Sequence, residues 1–185
     1  MSARLEVFGL VLARGGRVLI DGLDLALGEG EALHVAGPNG AGKSSLLRAI
    51  AGLLRPVAGR IVHDSVALAD EALALDRELP LRRALSLWSP ADRMTSAMAA
   101  FGLDRLADVP VRMLSTGQAK RARLARVAAS EARLWLLDEP LNGLDGDGAA
   151  RLAEAIAGHR AGGGAVVAAS HVALPGEWRR IEVGA

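Results

Sequence analysis

Eight residues, Gly37-Pro-Asn-Gly-Ala-Gly-Lys-Ser44, limit what this chain can fold into more than any other stretch. They follow the apolar run "ALHVAG" (32–37) and open "KSSLLRAIAGLL" (43–54), so the segment reads as buried strand, glycine loop, helix. In that setting the glycines let successive backbone N–H groups curl around a phosphate. Lys43 reaches the outer phosphates, and the Ser44 hydroxyl is placed to ligate Mg²⁺. The plainer alternative is a Gly-rich turn in a Gly-rich chain. With 22 Gly, 2 Lys and 12 Ser or Thr in 185 residues, a chance match is on the order of 0.2% by composition. Phosphate binding is the stronger reading.

The rest of the chain supplies a setting for that loop. "LEVFGLVLA" (5–13), "RVLI" (17–20) and "LDLALG" (23–28) are β-like runs divided by Gly and Asp, predicting an antiparallel start. "GRIV" (59–62) and "SVALA" (65–69) are further strands. The pattern is helical from Pro80 to Leu103, where Ser89-Pro90-Ala91-Asp92 reads as a cap with Pro at the first helical position. A basic helix follows over 116–130, then a nearly all-apolar strand, "RLWLLDEP" (133–140), as expected inside a parallel sheet. A helix over 146–160, the turn "GGG" (162–164), the strand "AVVAAS" (165–170) and a last strand, "WRRIEV" (178–183), complete the chain. Strands alternating with helices predict an α/β fold with a mainly parallel central sheet and an antiparallel N-terminal part. All of it reads as one domain, 1–185.

Three further motifs carry chemistry. "LWLLDEP" ends on Asp138 and Glu139, adjacent carboxylates at a strand end; one can serve a metal while the next polarises an attacking water. Taken alone, the pair also fits a solvated turn before Pro140. "AVVAAS" runs into His171, a strand-end histidine able to meet a phosphate oxygen. "MLSTGQ" (113–118) opens the basic helix with Ser115 or Thr116 as cap and Gly117 as a point of close approach, a second anion site in one chain. The run Lys120, Arg121, Arg123 and Arg126 behind it has the usual meaning of a solvated helix face.

Composition removes some classes. The net charge of +1 gives no global field for nucleic acid, and no nucleic-acid partner is expected. Cysteine is absent, which excludes disulfides and thiolate metal sites. No signal-like block and no uninterrupted apolar span is present, so the expectation is a soluble intracellular domain with an aliphatic core, only 3% of residues being aromatic.

In order along the chain, "GPNGAGKSS", "LSTGQ", "LWLLDEP", "NGLD" and "ASH" resemble the motifs of ATP-binding-cassette (ABC) ATPases. The resemblance covers essentially the whole length. It implies a P-loop NTPase of the ABC fold, with a small helical subdomain over roughly 72–130, and an ATPase coupled to transport. Gly37, Pro38, Asn39, Gly40, Ala41, Gly42, Lys43, Ser44 and Ser45 would bind nucleotide, and Ser44 and Asp138 would hold Mg²⁺. Glu139 and His171 would be catalytic. It also accounts for the surplus anion site. In the family two ATPase domains face each other head to tail, so Leu114, Ser115, Thr116, Gly117 and Gln118 would serve the nucleotide of a partner copy. Asp145 of "LNGLD" would lie in the loop crossing that interface. The brevity of the chain and the run "GEALHVAGPNGAGKSSLLRAIAGLLRP" are similar to the ATP-binding subunits of haem exporters in cytochrome c maturation. That resemblance implies ATP, a homodimer and integral membrane subunits as partners, peripheral on the cytoplasmic face of the bacterial inner membrane.

Three positions depart from the family pattern. Glu71 stands near where a Gln links metal and helical subdomain; it either contacts the metal or is a plain loop residue. Thr116 replaces a usual Gly and requires negative φ. Near "ARGGR", shortly before the P-loop, there is no aromatic to stack on adenine as the family usually does; Arg14 either stacks through its guanidinium or is simply exposed. Two other functions are weighed. An ABC ATPase acting on nucleic acid or ribosomes would need a basic patch or a coiled-coil insertion, and a P-loop kinase would have no use for "LSTGQ". Export of a substrate other than haem also stays open. Finally, Leu85, Met98 and Phe101 are expected inside the helical subdomain, and Trp88, rimmed by Arg82 and Arg83, at a docking groove for a membrane partner.

Overall fold

The computed structural model describes residues 3–70 and 75–184. Glu71 therefore lies outside the described residues. The chain forms two compact units: residues 1–68, 132–140 and 159–185 in the first, and residues 69–131 and 141–158 in the second.

The first unit holds two sheets. β1 (Ala3–Arg14), β2 (Arg17–Gly28) and β4 (Ala58–His63) make an antiparallel sheet in the order β2-β1-β4. Gly15 and Gly16, both at positive φ, close the β1–β2 hairpin between Arg14 and Arg17, the tight two-residue turn whose twist suits paired strands. The sequence predicts two runs in β2; the structure makes one strand, with register shifts absorbing the irregularity near Gly22. Asp24 accepts from the Gly9 N–H at 2.8 Å, tying down the matching irregularity in β1.

The second sheet is ordered β5-β6-β7-β3-β8. β3 (Ala32–Ala36) runs parallel to both β7 (Ala165–Ala169) and β8 (Arg179–Glu182), and β6 (Leu134–Asp138) parallel to β7; β5 (Val66–Ala69) is the far edge. Every residue of β3, β6 and β7 is buried, which is why these strands read as nearly continuous apolar runs, His34 and Asp138 being the polar members. Helix α1 (Lys43–Ile50) contributes Leu46, Leu47 and Ile50 to one core that also takes Leu5, Leu10 and Leu27 from the antiparallel sheet and Leu33, Leu136 and Val167 from the parallel one. Each such side chain stabilises the fold by about 1.5–3 kcal/mol.

In the second unit α2 (Leu81–Ser86), α3 (Ala91–Ala100) and α4 (Thr116–Ala129) pack together; Leu85, Met98 and Phe101 are buried as expected, and Met94 is buried with them. Two expectations change. Ser89 does not cap α3: Pro90 occupies the cap position, and the Ser89 hydroxyl donates to the Ala129 carbonyl at 2.6 Å. Nor is the basic run on α4 a solvated face. Lys120 and Arg126 are buried, and Arg126 lies over the Trp88 ring, 4.6 Å from its centroid. Burial pushes the Arg126 guanidinium below its ordinary value, with Asp70 acting against that shift. The fifth helix, α5 (Gly146–Ala161), bridges the division of the chain.

His159, near the end of α5, stacks on Trp135 of β6 with ring centroids 3.9 Å apart and planes 11° from parallel. Burial lowers its pKa first of all; the charges of Arg133 and Arg4 lower it further, against backbone hydrogen bonds that raise it. The unfolded chain therefore takes up the proton more readily than the folded one. Stability falls as pH drops below about 6.5, where a free imidazole charges. Thermal midpoints at pH 7.5 and 5.5 should differ more for the native chain than for His159→Gln, whatever the absolute stability of that variant. An equal difference in both would contradict a buried neutral His159.

Candidate functional site

The P-loop is built by opposing demands on its glycines. Gly37 leaves β3 at φ +142, and a Cβ there would lie 2.4 Å from the Val183 carbonyl oxygen at the end of β8, so no side chain fits. Gly42, at φ +103, caps α1 in the left-handed region with Leu19 of β2 packed directly over it. Between them Ala41 N–H donates to the Pro38 carbonyl at 3.2 Å. Lys43 is buried and folds back on its own loop, donating from Nζ to the carbonyls of Gly37 at 2.8 Å and Pro38 at 3.1 Å. An ammonium has three donors, so two hold the loop's shape and one remains for a ligand.

This loop forms the floor of a cavity of about 420 Å³ lined by Asn39, Gly40, Gly42, Lys43, Ser44, Ser45, Glu139, Arg14 and Leu19. All of these belong to the first unit. Asp138, buried, ends β6, and Glu139 follows at φ 45, the one non-glycine residue at positive φ among those described. Its N–H is held by the Ala169 carbonyl of β7 at 2.8 Å. A bulky residue in that conformation is strained, and such strain gathers at functional sites. Here it accompanies a carboxylate that meets His171: Glu139 Oε2 and His171 Nδ1 are 2.8 Å apart. The sequence places these two residues on separate strands, and the structure pairs them. His171 also lines a neighbouring cavity of about 660 Å³ with Gly37, Pro38 and His34. A hydroxyl at Ser44 and a carboxylate at Asp138 are the hard oxygen donors that suit Mg²⁺.

The signature residues Leu114 to Gln118 lie in the second unit, as does Asp145. Ser115 caps α4, settling the choice left with Thr116. Its Oγ accepts from Gln118 N–H at 3.2 Å while Gln118 Oε1 accepts from Ser115 N–H at 2.9 Å. With Oγ used as an acceptor, its hydrogen is left to donate outward. Thr116 has the negative φ it needs. A Cβ on Gly117 would lie 2.8 Å from the Gly143 carbonyl oxygen, so Gly117 is required by its contact with the loop 141–145. Asp145 Oδ1 accepts from Gly148 N–H at 2.8 Å at the start of α5. Asp147 then joins α5 to α4 through Arg121 at 3.9 Å, and Arg121 donates to the Phe101 carbonyl at the end of α3. Leu19, and the His34 bond to the Ser170 carbonyl at 3.1 Å, were not foreseen from the sequence. Val18, Leu19 and Ile20 are three consecutive apolar residues, so nothing in the sequence sets Leu19 apart.

Comparison with known proteins agrees with this geometry. The ABC transporter family model matches residues 20–142. A cytochrome c biogenesis ATP-binding export protein CcmA from Sphingopyxis alaskensis is 57% identical, covering 94% of this chain and 93% of the relative. One of the same name from Novosphingobium aromaticivorans is 60% identical, covering 87% and 85%. Among solved structures, an ATP-binding subunit of an ABC transporter superposes with a TM-score of 0.84 at 25% identity, covering 91% of this chain and 79% of that one. A nucleotide-free ATP-binding cassette superposes at 0.78 and 18% identity, over 92% and 82%. The chain belongs to the ABC transporter family, among the CcmA-type ATP-binding export proteins, and is an ATPase coupled to transport.

Proposed function

We propose that this ATPase drives haem export, or release of a haem-loaded chaperone, in cytochrome c biogenesis. It acts as a single ABC ATPase domain, two copies of which work with integral transporter subunits on the cytoplasmic face of a bacterial inner membrane. The relatives' named role in cytochrome c biogenesis and export supports the pathway. The observation that carries the chemistry is the Glu139–His171 pair at the rim of the P-loop cavity.

In this reading ATP lies with its phosphates on residues 37–45. Ser44 and Asp138 hold Mg²⁺, which supplies charge neutralisation at the outer phosphates. Glu139 takes the proton from the attacking water, and His171 holds its carboxylate in place through Nδ1. A protonated His171 has a second donor, Nε2, for a phosphate oxygen. Ser115, Gly117 and Gln118 reach the nucleotide of the partner copy, with Asp145 in the loop that crosses between copies. The transporter subunits meet the second unit near Leu87 and Trp88, large apolar side chains 72% and 48% exposed. Arg82, on the short helix α2 that ends just before them, is paired with Asp108. Among the described residues no helix is long and apolar enough to cross a membrane.

Glu139→Gln should bind ATP but hydrolyse it roughly 10²–10⁴-fold more slowly. Uncleaved ATP should then hold two chains together, seen by light scattering as a dimer with ATP and a monomer with ADP. A monomer in both conditions, with and without the membrane subunits, would contradict the two-copy reading. Gly117→Ala should push the loop 141–145 away and cost roughly 10²-fold in hydrolysis, the scale of an ångström-sized misplacement. ATP binding by the isolated chain should be unchanged.

A further inference from the structure

His34 is the one polar residue of β3, buried between the aliphatic Leu33 and Val35. A polar side chain in such a place is held by a partner. Its Nε2 lies 3.1 Å from the carbonyl oxygen of Ser170. A carbonyl only accepts, so Nε2 carries the hydrogen and donates it. Ser170 is the residue before His171 and is 1% exposed. Its N–H donates to the Val35 carbonyl at 3.2 Å, and its Oγ accepts from the Val172 N–H at 3.1 Å. The paired register of β3 and β7 ends at Val35 and Ala169. Beyond that point the His34 side chain extends the hold of β3 on the chain by one more peptide. The peptide entering His171 is thus fixed from β3, and the one leaving it is fixed by Ser170. The His171 side chain is 47% exposed where it meets Glu139. So open a position confines the ring little, and its direction follows from the backbone that carries it.

We infer that His34 is a positioning residue for ATP hydrolysis: its bond to the Ser170 carbonyl fixes the peptide that aims His171 at Glu139. The inference rests on the reading of Glu139 and His171 as the hydrolytic pair. His34 acts through the backbone it holds and not on the reacting atoms. The Ser170–His171 peptide is planar, so holding its oxygen also holds the His171 N–H and Cα. If that peptide rotates, the imidazole swings with it, and Nδ1 leaves its 2.8 Å contact with Glu139. Glu139 keeps its own backbone bond to the Ala169 carbonyl, so the loss falls on the alignment of the pair. His34 stands three residues before Gly37, yet its side chain bonds the segment leading to His171 and not the phosphate loop. Nucleotide binding is therefore spared.

Three substitutions of His34 separate this hydrogen bond from mere shape. Gln carries an N–H at the reach of Nε2, Asn carries one only at the reach of Nδ1, and Leu carries none. The chains are compared well below their thermal midpoints, at saturating ATP with Mg²⁺. His34→Leu and His34→Asn should lower kcat by roughly 10–10²-fold, the scale of a misplaced reacting group, with Kd for ATP unchanged. His34→Gln should return kcat to near the native rate. In a His171→Ala chain, which has no ring to aim, His34→Leu should cost no further activity, read in single turnovers with enzyme in excess. Should His171→Ala be too slow to follow, the contrast between Gln and Asn decides. A native kcat in His34→Leu would overturn the proposal, as would His34→Gln as slow as His34→Leu. So would equal losses from His34→Leu with and without the His171 ring. A Kd weakened in step with kcat would place the effect in the P-loop and overturn it too. A His171→Ala chain hydrolysing ATP at the native rate would instead remove the reading of the hydrolytic pair, and this inference with it.

Discussion

The site depends on how tightly the chain's own backbone closes around the P-loop. β3 is buried along its length and paired on both sides, so the loop leaves a rigid sheet. The Val183 carbonyl, at the end of the last strand, presses on Gly37 so closely that only glycine fits. Lys43 ties the loop from within, its ammonium bound to two loop carbonyls. The cradle is thus preformed: residues from opposite ends of the chain shape it, and a phosphate entering it need not order the loop. Preorganisation of this kind is where an enzyme of phosphoryl transfer gains most, because catalysis there is positioning and electrostatics.

The same sheet positions the groups proposed to react. β6 delivers Asp138 and Glu139, and β7, its parallel neighbour, delivers His171 just beyond its end. Adjacent parallel strands end at the same level, so residues 32 apart in sequence come within 2.8 Å. The left-handed backbone at Glu139 is maintained by the Ala169 carbonyl, again from β7. The second unit has its own order. A capping box shapes the loop at the start of α4, and Gly117 packs against the Gly143 carbonyl of the loop 141–145.

Much of this was legible because its physics is local. The P-loop's glycines, the all-apolar strands and the acidic pair at a strand end each follow from a few neighbouring residues, and the structure places the strands and helices accordingly. Two of the failures are cases where a distant residue intervened. Ser89 looked like a cap until the Ala129 carbonyl, 40 positions on, took its hydroxyl. Arg126 looked solvated because charge runs usually are, but Trp88 covers it. The Arg14 wall was only half legible: the turn that carries it is plain in "RGGR", while the cavity it borders is assembled from three segments.

The central claim is that one chain supplies the P-loop and another the signature loop for each nucleotide. The most direct test mixes two inactive chains. Ser115→Arg blocks a signature loop and Lys43→Ala disables a P-loop, and each alone should hydrolyse no ATP. In a mixed pair one site has an intact P-loop facing an intact signature, and the other has neither. Hydrolysis returning on mixing, with Ser115→Arg chains binding ATP normally by themselves, is the predicted result. A mixture as inactive as its components, or loss of ATP binding by the isolated Ser115→Arg chain, would contradict the account and place the signature's action within a single chain.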